Sequence, residues 1–166
     1  GKFITITHAR IHNIPTFGIC LGMQCMVVEY ARNVLGLIDA NSTEMNSKTP
    51  YKVIDLMDGQ KHITKMGASM RLGAYDCLLK KDSIAYRAYG KELIQERHRH
   101  RFEFNNQYKE QFEENGMICT GVNPDSDLVE VVEVPKLKWF VGTQFHPEYN
   151  STVISPNPLF MSFMAA

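Results

Sequence analysis

The sequence lacks an excess of either charge, with 18 Lys and Arg against 18 Asp and Glu. A zero formal balance gives no bulk pull towards nucleic acid or an anionic membrane, so neither is an expected partner. No apolar run approaches the roughly 20 residues of a membrane-spanning helix, and the opening residues do not read as a signal peptide. Cysteine is sparse: Cys20, Cys25, Cys77 and Cys119 form no CxxC pair. That excludes a disulfide-knotted scaffold and suits a reducing, cytoplasmic compartment. Gly, Ser and Pro never gather into a linker, and no repeat or low-complexity tract appears. The 166 residues are therefore expected to form one domain with a sizeable core.

What is present reads as strands mixed with helices. The opening is ambiguous. Ile4 to Thr7 alternates like a strand, while Phe3, Ile6, Arg10 and Ile11 fit a helical stripe. After Pro15, Thr16 to Ile19 reads as a short buried strand. Met23, Met26, Val27, Tyr30, Ala31 and Val34 then share one helical face, with Gly36 as the stop. Residues 38 to 67 read as an irregular excursion with turn signals at Asp39 to Ser42 and Asp58-Gly59. Further on, the pattern predicts a strand over Met70 to Leu79, and helices over Ser83 to Tyr89 and Asn106 to Glu114. Three strands come next, over Met117 to Val122, Leu128 to Val134 and Trp139 to Phe145, and a last helix over Leu159 to Met164. The expected class is an α/β sheet flanked by helices, with some antiparallel strands.

The stretch Gly18-Ile19-Cys20-Leu21-Gly22 places a thiol where a strand would hand over to a helix. That is the shape of a nucleophile elbow, a turn tight enough to exclude side chains at Gly18 and Gly22. The helix N-terminus would favour thiolate over thiol. A buried structural cysteine beside two turn glycines is the plainer reading.

A cysteine nucleophile needs a base to take its proton and return it to the leaving group. Among six histidines, His146 stands at the end of an apolar strand, followed by Pro147 and Glu148. In extended backbone, residues two apart point the same way, so Glu148 can orient the imidazole. A histidine at a strand end is otherwise an ordinary polar terminus. With the elbow, Cys20, His146 and Glu148 read as a triad.

These strings, GICLGMQ and QFHPE, resemble the class I glutamine amidotransferases. ANSTE (Ala40 to Glu44), MRLGAY (Met70 to Tyr75), ERHRHRFEFNN (Glu96 to Asn106) and DLVEVVEVP (Asp127 to Pro135) narrow the likeness to the C-terminal glutaminase domains of CTP synthases. The resemblance implies a glutamyl thioester on Cys20, His146 as general base and acid, and Glu148 as its orienting carboxylate. It implies that Leu21 and Gln24 border the glutamine pocket, Leu21 through its backbone N–H in an oxyanion hole. Glu44 would hold the substrate ammonium and Arg101 its α-carboxylate. Glutamine is a zwitterion, so one anion and one cation at fixed separation suit it, and the Arg fork suits a carboxylate.

The resemblance further implies that residues 1–166 are part of a type-1 amidotransferase domain. An upstream oxyanion loop and a synthetase domain making CTP from UTP, with ATP and Mg²⁺, would lie outside them. L-glutamine and that synthetase domain are the implied partners, in a homo-oligomer (a tetramer) when complete. No cofactor or metal is expected in this chain. The opening Gly1-Lys2 fits a piece of something longer, and weak or absent activity is expected of the piece alone. Other readings stay open: a non-catalytic interaction piece, another class I amidotransferase, or a γ-glutamyl hydrolase. Arg97 to Arg101 reads in addition as a short basic patch or a metal site. Flanking Glu96 and Glu103 oppose the patch, and ligands at suitable spacing to His98 and His100 are lacking. In an extended segment its three arginines share one face. Cys25, one turn after Cys20, reads as core.

Overall fold

A computed structural model describes residues 1–56 and 70–166; the turn expected at Asp58-Gly59 lies outside the described residues. The opening segment is a helix, α1 (Lys2–Ile11). Its helical stripe wins over the alternating one because Ile6 and Ala9, one turn apart on the same face, are both buried. Arg10 forks onto the buried Glu29, with Nε 2.9 Å and Nη2 2.8 Å from the two carboxylate oxygens. Strand β1 (Thr16–Ile19) leads into α2 (Leu21–Asn33), whose apolar face carries Met23, Met26 and Val27 into the core.

Among its described residues, the expected irregular excursion contains two strands, β2 (Asn41–Ser42) and β3 (Lys52–Leu56). Then come β4 (Arg71–Leu79), α3 (Ile84–Tyr89), β5 (Leu93–His100) and β6 (Phe102–Phe104). Ser83 caps α3 by accepting from the Tyr86 N–H, and Gly90 closes it in the left-handed region at φ 68°. The helix expected over Asn106 to Glu114 splits into a 3₁₀ turn (Asn106–Tyr108) and α4 (Lys109–Glu114). Strands β7 (Ile118–Val122), β8 (Val129–Glu133) and β9 (Phe140–Thr143) precede a second 3₁₀ turn (Pro147–Asn150) and α5 (Pro158–Met164).

Six strands form one sheet in the order β1-β9-β8-β7-β4-β5, parallel only at β1–β9. Strands β2, β3 and β6 form a smaller sheet. One core joins α2 to Phe112, Val132 and Phe140; the other joins α3 and α5 to Val131, Trp139, Val141 and Phe145. This is the expected α/β class, a sheet with antiparallel strands covered by helices on both faces. Among the described residues, no helix is long and apolar enough to cross a membrane.

Candidate active site

Cys20 stands at the junction of β1 and α2. Its N–H extends the β1 ladder onto Thr143 O at 2.7 Å, and its carbonyl accepts the first helical bond, from Gln24 N at 3.2 Å. Serving both elements forces the residue to φ 51° and ψ −106°, strained ground for a non-glycine. A Cβ on Gly18 would fall 2.2 Å from Met26 Sδ and 2.8 Å from the Gly22 carbonyl carbon, so position 18 admits glycine alone. Gly22 departs from expectation, because a Cβ there meets nothing within 4 Å. The crowding is one-sided: the strand residue abuts the helix backbone, whereas Gly22 faces outward.

Strands β1 and β9 run parallel with Ile19 opposite Thr143, so both chains leave the sheet at the same edge. Three residues past Thr143, the His146 N–H donates to Arg97 O on β5 at 2.8 Å. His146 Nδ1 lies 2.6 Å from Glu148 Oε1. A carboxylate only accepts, so Nδ1 carries a proton, and in the neutral ring the lone pair then falls on Nε2. That Nε2 is buried and has no hydrogen-bond partner among the described residues. The pair forms as expected, although Glu148 reaches back from the Pro147–Asn150 turn rather than from continued strand. Tyr149 stacks on the imidazole at 4.9 Å.

A cavity of about 270 Å³ opens beside the elbow, lined by Cys20, Leu21, Gln24, Glu44, Arg101 and Phe102, among others. The structure thus gathers Cys20, Leu21, Gln24, Glu44 and Arg101 around one space. His146 and Glu148 pair with each other at the same sheet edge but do not line it. A negative and a positive side chain beside a thiol suit a zwitterionic substrate whose reactive group reaches the sulfur.

Among the described residues, the partners of the sulfur include Arg99 O at 3.9 Å, which accepts from the thiol, and Gln144 Nε2 at 3.7 Å, which donates to it. Burial pushes the Cys20 thiol up; the Leu21 N–H opposes this, and the charges of Glu148, Glu103 and Glu44 add to the rise. Burial and the neighbouring carboxylates thus work against the expected thiolate preference of the helix terminus, and forming the anion calls for a base and for donors to the sulfur. All four cysteines are free, and Cys25 is buried core as expected.

Sequence reasoning missed Gln144 and the inner side of the Arg97 to Arg101 run. Gln144 precedes His146 by two positions, the spacing that put His146 and Glu148 together, and that signal was available. In the basic run, Arg97 and Arg99 are exposed on one face of β5, as an extended segment predicts, with Arg99 at the rim of the cavity beside Arg101, while His98 and His100 point inward. There His98 Nδ1 meets His100 Nε2 at 2.8 Å, and Arg71 Nη1 meets Glu130 Oε1 at 2.7 Å and Glu103 Oε1 at 3.4 Å. Carboxylates do approach these histidines in space: Glu130 Oε2 lies 3.5 Å from His98 and Glu103 Oε1 3.4 Å from His100. Among the described residues no group of three or more His, Cys, Asp or Glu side chains is arranged to hold a metal ion.

The sequence model for glutamine amidotransferase class-I matches residues 1–166. The chain belongs to the class-I glutamine amidotransferases. Within that class its likeness is to CTP synthases. It is 68% identical to a CTP synthase of Bacteroides fragilis over 166 residues, all of this chain and 31% of the relative. To that of Bacteroides thetaiotaomicron it is 66% identical, again over all of this chain and 31% of the relative. This class-I chain therefore spans about a third of the length of the curated relatives it matches. Among solved structures, the glutaminase domain of Trypanosoma brucei CTP synthase with bound acivicin superposes with a TM-score of 0.92 at 43% identity, covering 99% of this chain and 64% of that one. A glutamine amidotransferase from Thermotoga maritima shares the fold alone, with a TM-score of 0.54 at 16% identity over 89% of this chain and 46% of that one.

Proposed function

We propose that this chain hydrolyses glutamine at Cys20 and, within a longer polypeptide, supplies the ammonia that converts UTP to CTP. The observation that carries the reading is the thiol on a strained strand–helix elbow, at the sheet edge where His146 is held by Glu148. Glutamine would lie in the cavity with its ammonium towards Glu44 and its α-carboxylate towards Arg101. His146 Nε2 takes the thiol proton, and the sulfur electron pair attacks the side-chain amide carbon. The resulting oxyanion is met by the Leu21 N–H, at the start of α2. His146 returns the proton to nitrogen as the C–N bond breaks, releasing ammonia and leaving a thioester. Water, deprotonated by the same imidazole, then attacks the thioester and releases glutamate and the thiol. Glu148 keeps the imidazole in the required tautomer and balances its charge while it is protonated.

The remaining length of the relatives would carry the synthetase function, and the likeness to CTP synthases across this whole chain supports that context. The test uses Cys20→Ala in the polypeptide at the length of its relatives. Glutamine-dependent CTP formation should vanish while ammonia-dependent formation stays, because the thiol acts only in releasing ammonia. Equal loss of both activities would make Cys20 a structural residue and reject the reading.

A further inference from the structure

Gln144 is wholly buried, in a segment, Trp139 to Phe145, that is otherwise apolar apart from Thr143. A leucine or methionine would fill the same volume without burying an amide, whose unpaired groups are costly there. Its backbone N–H is already used, donating to Glu130 O at 2.8 Å. The side chain is what remains to be explained.

Its orientation is determined by its neighbours. Gln24 Nε2 donates to Phe102 O at 2.9 Å, and a carbonyl can only accept, so the Gln24 amide has one allowed direction. The second N–H of that same nitrogen meets Gln144 Oε1 at 3.2 Å. Turning the Gln144 amide over would set donor against donor. Its own NH₂ must therefore face the other way, and there it meets Cys20 Sγ at 3.7 Å. A relay runs from the β6 carbonyl through α2 to the residue after β9, and it ends on the sulfur.

The geometry points to Gln144 as a catalytic residue that donates a hydrogen bond to the Cys20 sulfur and stabilises it as the anion when His146 removes the proton. A donor to sulfur matters most when the sulfur carries charge, since hydrogen bonds to ions are roughly twice as strong as neutral ones. It fades once the thioester forms, because the charge has left the sulfur. The need is evident from the surroundings: burial and the three carboxylates of Glu148, Glu103 and Glu44 all oppose a thiolate. The Leu21 N–H acts in the opposite direction. Gln24 serves in this account as a positioning residue as well as a wall of the cavity.

The inference rests on Cys20 being the nucleophile, but its test does not need turnover. The rate of Cys20 carboxamidomethylation by iodoacetamide is followed from pH 6 to pH 10 by peptide mapping, in the full chain and in Gln144→Met and Gln144→Glu. Gln144→Met should move the Cys20 profile up by about one pH unit, slowing labelling near pH 7 roughly tenfold. Gln144→Glu, the same shape with an added negative charge, should move it at least as far. Gln24→Met frees the Gln144 amide to turn and should shift the profile in the same direction by less. Protection of the buried Cys25 and Cys77 reports that each variant is folded. A folded Gln144→Met or Gln144→Glu chain with the parental Cys20 profile would overturn the inference. Failure of Cys20→Ala to affect glutaminase activity would reject the nucleophile and leave the measured profile standing, so the two failures are distinguishable.

Discussion

Asn150, the last residue of the turn that carries Glu148, donates a 2.7 Å hydrogen bond to the buried carboxylate of Glu96 on β5. The same carboxylate accepts from the Tyr89 hydroxyl at 2.7 Å and from Asn157 Nδ2 at 2.8 Å. Asn157 in turn caps α5 by accepting from the Leu159 N–H. Glu96 therefore ties α3, α5 and the Glu148 turn to the sheet strand whose Arg97 carbonyl holds His146.

Removing that hub should cost both stability and turnover. Glu96→Ala removes the shared acceptor of three donors. The exposed Asn150 can turn to water, while Tyr89 and Asn157 keep only their longer contacts with each other. A buried donor left poorly paired should cost roughly 1–3 kcal/mol. Glu96→Ala is expected to lower Tm by several degrees and to slow ammonia release from glutamine, with Glu96→Gln milder on both counts. Thermal denaturation and a glutaminase assay measure them. A Glu96→Ala chain melting within a degree of the parent would show that the hub is dispensable.

The two glycines flanking Cys20 should behave oppositely. Gly18→Ala places a methyl against helix backbone at position 22 and should displace the elbow, with a loss of at least about 2–3 kcal/mol and loss of Cys20-dependent activity. Gly22→Ala meets open space inside the first turn of α2 and should fold normally, gaining up to about 1 kcal/mol in helix propensity. Equal destabilisation of the two, read by chemical denaturation, would restore the symmetric tight turn that the motif alone suggests.

Elements that carry a run of apolar residues into the core were legible in the sequence, as β1, α2, β7, β8 and β9 show, even where they bury a polar residue as well. Strand β5 was not. It alternates perfectly, but its inward residues are Ile94, Glu96, His98 and His100, while Leu93 faces solvent. A hydropathy pattern cannot report a strand whose buried side is polar, because the partners that make burial tolerable come from elsewhere. They are α3, the Pro147–Asn150 turn and the start of α5 for Glu96, and β4, β6 and β8 for the two histidines. Strand β2 was hidden by its two-residue length, and β3 by its pairing with β6, a contact between residues about 50 positions apart. At the site, the elbow at Cys20 and the His146–Glu148 pair were legible because a tight turn and a separation of two residues are local, although the pair closes through a 3₁₀ turn and not along a strand. Gln144 obeyed the same spacing, yet its meaning depends on Gln24, 120 residues away.

Substrate recognition offers a sharper test of the cavity. Arg101→Lys keeps the charge but loses the planar fork, so kcat/KM for glutamine should fall tenfold to a thousandfold, about 1.4–4 kcal/mol. In the polypeptide at the length of its relatives, CTP formation from added ammonia should barely change. Parental steady-state constants for glutamine would move the carboxylate role to Arg97 or Arg99, or out of this run.

The buried cluster behind Arg101 predicts an unusual pH dependence of stability. Burial, and the charge of Glu130 nearby, raise the Glu103 carboxyl from 4.5 to about 8, and burial raises Glu130 to about 7 against the opposing Arg71. A carboxyl with a raised folded pKa contributes stability that is fully present below pH 4.5 and is lost as pH rises towards 7 and 8. Burial and the Arg71 charge lower His98 to about 2 and His100 to about 3 from 6.5. Their contribution has the opposite sign: it is fully present above pH 6.5 and is lost as pH falls towards 3. Between pH 4.5 and 6.5 the two pairs offset each other. Above pH 6.5 only the carboxyls titrate, so stability should fall towards pH 8; at about 1.4 kcal/mol per pKa unit the loss is on the order of 2 kcal/mol, or roughly 5 °C in Tm. Below pH 4.5 only the histidines act, and stability should fall again. Glu103→Gln removes the larger alkaline contribution and should flatten that side while leaving the acid side in place. Melting curves in matched buffers from pH 4 to pH 9 give the answer. A Tm that does not fall between pH 6.5 and pH 8 would mean that both carboxylates are already ionised in the folded chain while the histidines stay neutral.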